Sequence, residues 1–123
     1  MKSGFAVMSE AQFLPGYCLL LASPKVANLN SLVAADRAQF LADMAELGDA
    51  VLAVTGAVRI NYSIYGNLDP FLHAHLFPRY ADEDEAQRTL PPFLIPEAVR
   101  SGTPYDPEIH DEIRDQIRAR LEG

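Results

Sequence analysis

Apolar positions along the chain repeat at two spacings, one helical and one typical of strands, which predicts a domain of mixed helices and strands. Apolar residues recur every three or four positions across Ala34–Thr55, which predicts one long helix that ends at Gly56. Residues 59–65 alternate between apolar and polar, which predicts a strand with one face in the core. A second helical stripe begins at Asp106-Pro107, an N-cap followed by proline at the first helical position. This stripe predicts a C-terminal helix.

Shorter apolar runs predict the remaining strands. Residues 4–8 and 13–21 form two such runs near the N-terminus. Residues 71–77 form another, which Pro78 should end because proline cannot donate to a strand ladder. The order of elements predicts an α+β fold with an antiparallel sheet of about five strands, one long helix packed on it and a C-terminal helix. The proline-rich residues 90–96 should run extended across the domain.

Length and composition predict a single domain that spans residues 1–123, with its core at about 5–80 and a more irregular tail at 81–123. The content of apolar residues (49%) and charged residues (22%) is that of an ordinary globular protein. The net charge of −7 argues against nucleic acid or an anionic membrane as the main partner, since both favour basic surfaces. A small nucleotide stays compatible with this charge, because local groups set its pocket.

Three further features bear on location and surface. Cys18 is the only cysteine, so the chain has no intrachain disulfide. The first residues lack the apolar core of a signal peptide, and no stretch has the roughly 20 apolar residues of a spanning helix. We therefore expect a soluble, cytoplasmic protein. The acidic run 82–85 and His110 are both expected to be exposed to solvent.

The stretch with the clearest chemical content holds His73 and His75. Side chains two residues apart on a strand point to the same face, so the two imidazoles should lie side by side, with Phe71 on their face. Three interpretations remain open on spacing alone. The pair could be ordinary residues of a half-buried strand, ligands of zinc, copper or nickel, or a nucleophile with a helper that holds developing charge.

The same stretch resembles the signature of the histidine triad (HIT) superfamily of nucleotidyl hydrolases and transferases. That signature is His-x-His-x-His followed by two apolar residues, often with Pro-Arg after them. With Pro78-Arg79 set on that Pro-Arg, His75 takes the third histidine position and His73 the second, which is the family's nucleophile. Phe71 stands where the first histidine would be.

The resemblance extends to the N-terminal part of the chain. Fragile-histidine-triad-like proteins have a strand, a short loop and then Val-Pro-Gly-His before an apolar strand, a layout that residues 5–17 follow without a gap. Tyr17 replaces the histidine after Pro-Gly, and Ser9 replaces an asparagine that contacts the ribose. The resemblance implies that Asn61, and less strongly Asn67, bind the phosphates. All three could instead be ordinary loop or backbone partners, and for Ser9 and Asn67 this is the favoured interpretation.

The activity that the resemblance implies is hydrolysis or transfer on a nucleotide phosphoester, anhydride or phosphoramidate through a covalent nucleotidyl-histidine. His73 would be the nucleophile and His75 its helper, and the carbonyl of Phe71 would fix the tautomer of His73. The alternatives are a nucleotide-binding relative without catalysis and, third, a metal-binding module that uses the two histidines. The resemblance further implies a homodimer, and nothing in it calls for a cofactor.

The two missing histidines lead to one structural expectation. In complete family members the first triad histidine and the histidine after Pro-Gly are hydrogen-bonded neighbours. Because these positions hold Phe71 and Tyr17 here, we expect their rings to touch and to replace the polar bridge by an aromatic contact.

Overall fold

The structure is a computed structural model that describes residues 1–123. It has the α+β architecture that the sequence predicts, with all strands in one antiparallel sheet and the long helix packed on one of its faces. The strands are β1 (Gly4–Met8), β2 (Cys18–Ala22), β3 (Arg59–Ser63) and β4 (His73–Arg79), and the helices are α1 (Ala34–Thr55), α2 (Glu85–Arg88), α3 (Glu97–Arg100) and α4 (Pro107–Glu122).

The sheet has the strand order β1-β2-β4-β3, so the histidine strand β4 lies in the interior of the sheet. On one side, Leu19 of β2 lies opposite His75. On the other side, Asn61 of β3 lies opposite Phe77. This register brings residues from the beginning of the chain and from the middle of the chain onto the same face as the histidines.

The main core lies on the opposite face of the sheet. Leu20, Ala74 and Leu76 point to this face and are completely buried, in contact with the core that α1 and α4 complete. Burial of each of the two leucine side chains stabilises the fold by roughly 1.5–3 kcal/mol. Alternation along β4 then turns His73 and His75 away from α1.

The sheet has four strands, where the sequence predicts about five. The second strand is also shorter than predicted, because residues 13–17 form a turn rather than the first half of that strand. The buried side chain of Gln12 holds this turn, because its amide donates to the carbonyls of Ser9 and Tyr17 and its oxygen accepts from the Gly16 amide. Gly16 itself has a φ of 96°, which favours glycine.

Strand β4 also runs further than the sequence predicts. Pro78 was expected to end it, yet the strand continues to Arg79, where Pro78 lies opposite Ile60 of β3. The proline is tolerated because β2 pairs with β4 only as far as Leu76, so no ladder bond is required of Pro78 on that side.

The tail returns across the sheet instead of running extended. Pro92–Leu94 forms a short 3-10 helix that places Phe93 against the histidine face. His110, which was expected to be exposed, is buried, and its Nδ1 accepts a hydrogen bond of 2.8 Å from the Asp106 amide at the start of α4. No helix in the structure combines the length and the apolar character that crossing a membrane requires.

Candidate active site

His73 and His75 lie side by side on one face of β4, as the sequence predicts. Their ring centres are 5.0 Å apart and the ring planes are inclined at 65°. His73 is buried, with 8% of its surface exposed, and His75 is half-buried. The two imidazoles are therefore adjacent but not stacked, and each is held by a different partner.

The backbone holds His73. Its Nδ1 lies 2.8 Å from the carbonyl oxygen of Phe71. A carbonyl only accepts, so Nδ1 donates its hydrogen and Nε2 of the neutral ring keeps a free electron pair. This is the arrangement that the resemblance to histidine triad proteins implies for the nucleophile, with the carbonyl supplied by a phenylalanine.

The side chain of Tyr17 holds His75. The phenol oxygen lies 2.7 Å from Nδ1 of His75. Burial, helped by the neighbouring His73, lowers the pKa of His75 to about 4. His75 is therefore neutral at pH 7, and in that state it carries a single hydrogen on one of its two ring nitrogens.

Aromatic rings surround the pair. His75 stacks on Phe77 with ring centres 5.7 Å apart, Tyr65 is tilted against it at 5.8 Å, and Phe93 makes a T-shaped contact at 5.4 Å. His73 lies 4.8 Å from the ring of Phe71. These rings displace water from the sides of the imidazoles, which explains the low pKa of His75.

Two of the neighbours were missed from the sequence. Phe93 lies in the proline-rich tail, for which the sequence predicts no functional residue. The sequence marks Phe93 only as an apolar residue among prolines. Lys25 places its ammonium 4.6 Å from the ring centre of Phe71, on the edge of the histidine site. A lone lysine after Ser-Pro carried no signal of a binding role.

The expected contact between Tyr17 and Phe71 is absent. Tyr17 packs instead on Phe77, with ring centres 4.3 Å apart. Because Cys18 lies opposite Leu76, Tyr17 comes beside Phe77, whereas Phe71 lies before the start of β4, with His73 and His75 between the two rings. The prediction that the two substitutions compensate for each other through an aromatic contact is wrong, and the partner of Tyr17 is the third triad position.

Asn61 lies on the histidine face, but its oxygen is already engaged. Arg79 donates to Oδ1 of Asn61 at 2.9 Å. Since a guanidinium only donates, the Asn61 oxygen faces Arg79 and the amide nitrogen points elsewhere, where it makes no hydrogen bond. Asn61 can therefore offer an N–H group to a ligand from a fixed side chain.

Arg79 anchors the tail to the end of β4. The guanidinium forms a two-pronged pair with the carboxylate of Glu83 at 2.9 and 3.1 Å and also donates to the carbonyl of Leu90. Glu83 belongs to the acidic run that was expected to be solvated, yet its side chain is only 5% exposed. Hydrogen bonds from Arg79 and Gln87 outweigh the effect of burial and lower the pKa of Glu83.

The other two predicted binding residues, Ser9 and Asn67, are less favourably placed than Asn61 to contact a nucleotide at the histidines. The hydroxyl of Ser9 accepts a hydrogen bond of 3.1 Å from the Ala11 amide, so part of its capacity is used within its own turn. Asn67 is exposed in the loop between β3 and β4, next to Gly66 with its φ of 80°, and makes no hydrogen bond. The structure brings Asn61 to the histidine face and leaves Asn67 in solvent.

The histidine face is open along β1 and β2. Phe5 is 65% and Val7 is 38% exposed, and Leu19 and Leu21 beside them are partly exposed. Neither histidine lines the cavity of about 1340 Å³ that runs along the outer edge of β1 and reaches α1 and α4. A ligand of the histidines would therefore lie on an open sheet surface.

The residues around the histidines do not provide a metal site. No group of three or more histidine, cysteine, aspartate or glutamate side chains is close enough to hold a metal ion. A stable site for zinc or copper needs at least a third protein ligand beside the two imidazoles. The metal-binding interpretation therefore has no ligand set in this structure.

Solved structures resemble this chain closely in fold. A histidine triad protein from Sinorhizobium meliloti 1021 has a TM-score of 0.83 at 19% identity, over 98% of this chain and 85% of that one. A histidine triad protein from Bradyrhizobium japonicum has a TM-score of 0.78 at 20% identity, over 98% and 86%. The chain has the histidine triad fold.

A third solved structure shares the fold at lower sequence identity. A hypothetical histidine triad nucleotide-binding protein from Sulfolobus tokodaii has a TM-score of 0.71 at 15% identity, over 95% of this chain and 76% of that one. Neither a protein-family model nor a curated protein matches the sequence. At these identities the histidine triad fold is what the comparisons establish.

Proposed function

We propose that this chain is a nucleotide hydrolase or transferase that cleaves a phosphoester, anhydride or phosphoramidate through a covalent nucleotidyl-His73 intermediate. The observation that carries the proposal is the hydrogen bond of 2.8 Å between Nδ1 of His73 and the Phe71 carbonyl. It leaves Nε2 with the electron pair that a nucleophile needs. The histidine triad fold supplies the frame, and the neighbouring His75 supplies a second imidazole 5.0 Å away.

The reaction would proceed in two displacements at phosphorus. Nε2 of His73 attacks the α-phosphorus and forms a P–N bond, while the bond to the leaving group breaks and the leaving group departs with its electron pair. Water then attacks the same phosphorus, the P–N bond breaks, and His73 recovers its electron pair as the nucleotide is released. His75 donates to a phosphate oxygen as negative charge builds on it in each step.

The open face of the sheet offers a place for the rest of the substrate. Phe5 and Val7 expose apolar surface on the same side of the sheet as the histidines, which suits the flat base of a nucleotide. The Nδ2 group of Asn61 is free to donate to a phosphate oxygen, and the Lys25 ammonium lies at the edge of the site. Ser9 and Asn67 stay predictions for ribose and phosphate contacts.

A second candidate is a nucleotide-binding protein without catalysis. It is favoured by Phe71, which removes a proton-carrying side chain from the position next to His73. It is also favoured by the burial of His73, which limits the approach of a phosphorus atom. Both candidates predict nucleotide binding, so turnover must separate them.

Steady-state turnover of wild type, His73→Ala and His75→Ala on adenosine phosphoramidate and on a dinucleoside polyphosphate tests the proposal. His73→Ala should abolish activity, because the covalent route is closed without a nucleophile. His75→Ala should keep the route open and lose about 10²–10³-fold in rate, the usual cost of one charge-stabilising donor. Circular dichroism of each variant establishes that equal folded concentrations are compared.

Two outcomes would overturn the catalytic assignment. Equal turnover in wild type and His73→Ala would show that the imidazole of His73 does not attack phosphorus. Nucleotide binding by calorimetry with no turnover in wild type would leave the binding protein as the function. A mass increase of one nucleotidyl group on wild type but not on His73→Ala would identify the intermediate directly.

A further inference from the structure

The hydroxyl of Tyr17 is a buried polar group that faces the candidate site. Only 5% of the Tyr17 surface is exposed, and its ring is stacked on Phe77 at 4.3 Å. The stacking fixes the position of the phenol oxygen, which lies 2.7 Å from Nδ1 of His75. Tyr17 immediately precedes β2 and reaches His75 on β4, the strand that pairs with β2.

Hydrogen-bonding capacity decides the direction of this bond. Both groups are neutral at pH 7, because burial lowers the pKa of His75 to about 4 and raises that of Tyr17. Nδ1 of His75 is the one hydrogen-bond partner of the phenol oxygen, so a hydrogen on Nδ1 would leave the buried phenol hydrogen without an acceptor. An unsatisfied buried donor costs about 1–3 kcal/mol. The phenol therefore donates and Nδ1 accepts.

We infer that Tyr17 is a positioning residue that holds His75 in the tautomer whose Nε2 carries the hydrogen. The effect on turnover rests on the proposed function, whereas the hydrogen bond and the tautomer do not. In this tautomer the outward nitrogen of His75 is a donor, which is what a group that stabilises a phosphate oxygen must be.

The two histidines are thus held in opposite tautomers, because one partner accepts a hydrogen bond from Nδ1 and the other donates one to it. The Phe71 carbonyl accepts from Nδ1 of His73 and leaves Nε2 bare, while the Tyr17 phenol donates to Nδ1 of His75 and leaves the hydrogen on Nε2. A bare nitrogen and an N–H group then lie next to each other on one face. One can attack phosphorus while the other holds its oxygen.

Nitrogen NMR of histidine-labelled protein at about pH 7, where the imidazole is neutral, tests the inference. Long-range proton–nitrogen correlations of His75 are compared in wild type, Tyr17→Phe and the control Tyr65→Phe. Tyr65 also touches His75, at 5.8 Å between ring centres, but makes no hydrogen bond to it. We expect hydrogen on Nε2 in wild type and in the control, and a mixture of tautomers in Tyr17→Phe, which keeps the ring that stacks on Phe77.

Kinetics on the same three proteins adds a second readout. Tyr17→Phe should lower kcat about 3- to 10-fold with little change in KM, since the loss of one hydrogen bond frees the wrong tautomer. Hydrogen on Nδ1 of His75 in wild type, or an unchanged tautomer in Tyr17→Phe, would overturn the inference even if wild type is active. An inactive wild type with hydrogen on Nε2 would instead overturn the proposed function and leave the role of Tyr17 in place.

Discussion

The two faces of strand β4 show how differently a core and a site are held together. On the α1 side, Ala74 and Leu76 are completely buried among apolar side chains, and only volume matters there. On the other side, His73 and His75 each depend on one hydrogen bond with a defined donor and acceptor. The first face tolerates apolar exchange of similar size, whereas the second loses its chemistry when a single polar atom is removed.

At the end of β4, the histidine face is held together by a buried ion pair instead of by apolar packing. Arg79, on the same face, is 5% exposed and binds the Glu83 carboxylate, the Asn61 side chain and carbonyls of the tail. The tail, with Phe93, is what covers His75. Stability of this face therefore depends on a buried ion pair, and stability of the other face depends on apolar burial.

The largest expected effect on stability follows from this ion pair. Arg79→Met should lower the free energy of unfolding by about 3–5 kcal/mol, because it leaves the buried Glu83 carboxylate without its opposite charge. Urea denaturation of wild type, Arg79→Met and the double variant with Glu83→Gln measures it. The double variant should recover part of the loss, since the unpaired charge is gone.

The control for this experiment is an ion pair at the surface. Arg114 is 41% exposed and pairs with Asp115 on α4, so Arg114→Met should lower the free energy of unfolding far less than Arg79→Met does. A loss for Arg79→Met as small as that for Arg114→Met would show that the Arg79 network does not hold the tail in place.

The face of the sheet that packs on α1 could be predicted from the sequence, because its buried positions follow the periodicity of apolar residues. Apolar repeats at helical and strand spacing gave α1, β3 and the core positions of β4, and the bounds of α1 agree with the prediction. The placement of His73 and His75 on one face follows from the same alternation. Patterns of this kind report which side of an element is buried, and they do so locally.

The hydrogen-bond partners on the histidine face could not be predicted from the sequence, because these bonds join residues that are distant in the chain. The hydrogen bond from Tyr17 to His75 depends on the register between β2 and β4, which a turn around Gln12 sets. The burial of Glu83 depends on Arg79 in the same way. Only a resemblance to a family pointed to Tyr17 and Asn61, and it assigned Tyr17 the wrong partner.

A pair of adjacent leucines tests the difference between the faces directly. Leu20 is completely buried towards α1, and Leu19 is partly exposed on the histidine face. Leu20→Ala should cost about 2–5 kcal/mol because it leaves a cavity in the core. Leu19→Ala removes the same atoms from a half-open surface and should cost less than about half as much. Equal losses in chemical denaturation would contradict the view that only one face is tightly packed.

The smallest expected effect concerns the pH dependence of stability. The pKa of His75 is about 4 in the folded protein, against an ordinary value of 6.5. Between these values the unfolded chain binds a proton at His75 and the folded chain does not, so the free energy of unfolding falls as the pH drops from 6.5 towards 4. Because His75 is half-exposed, we expect a loss on the order of 1 kcal/mol.

Urea denaturation of wild type and His75→Gln between pH 6.5 and about 5 isolates this contribution. Asp43 and Glu83, whose pKa values are lowered in the folded protein, lose their stabilising effect mainly at lower pH, below the ordinary range of carboxylates. Glutamine can still accept from Tyr17 but does not titrate, so the variant should show a flatter dependence than wild type. Parallel curves for the two proteins would show that the folded protein does not hold His75 neutral. The aromatic rings around His75 would then not lower its pKa, and the histidine face would not contribute to the pH dependence of stability through this residue.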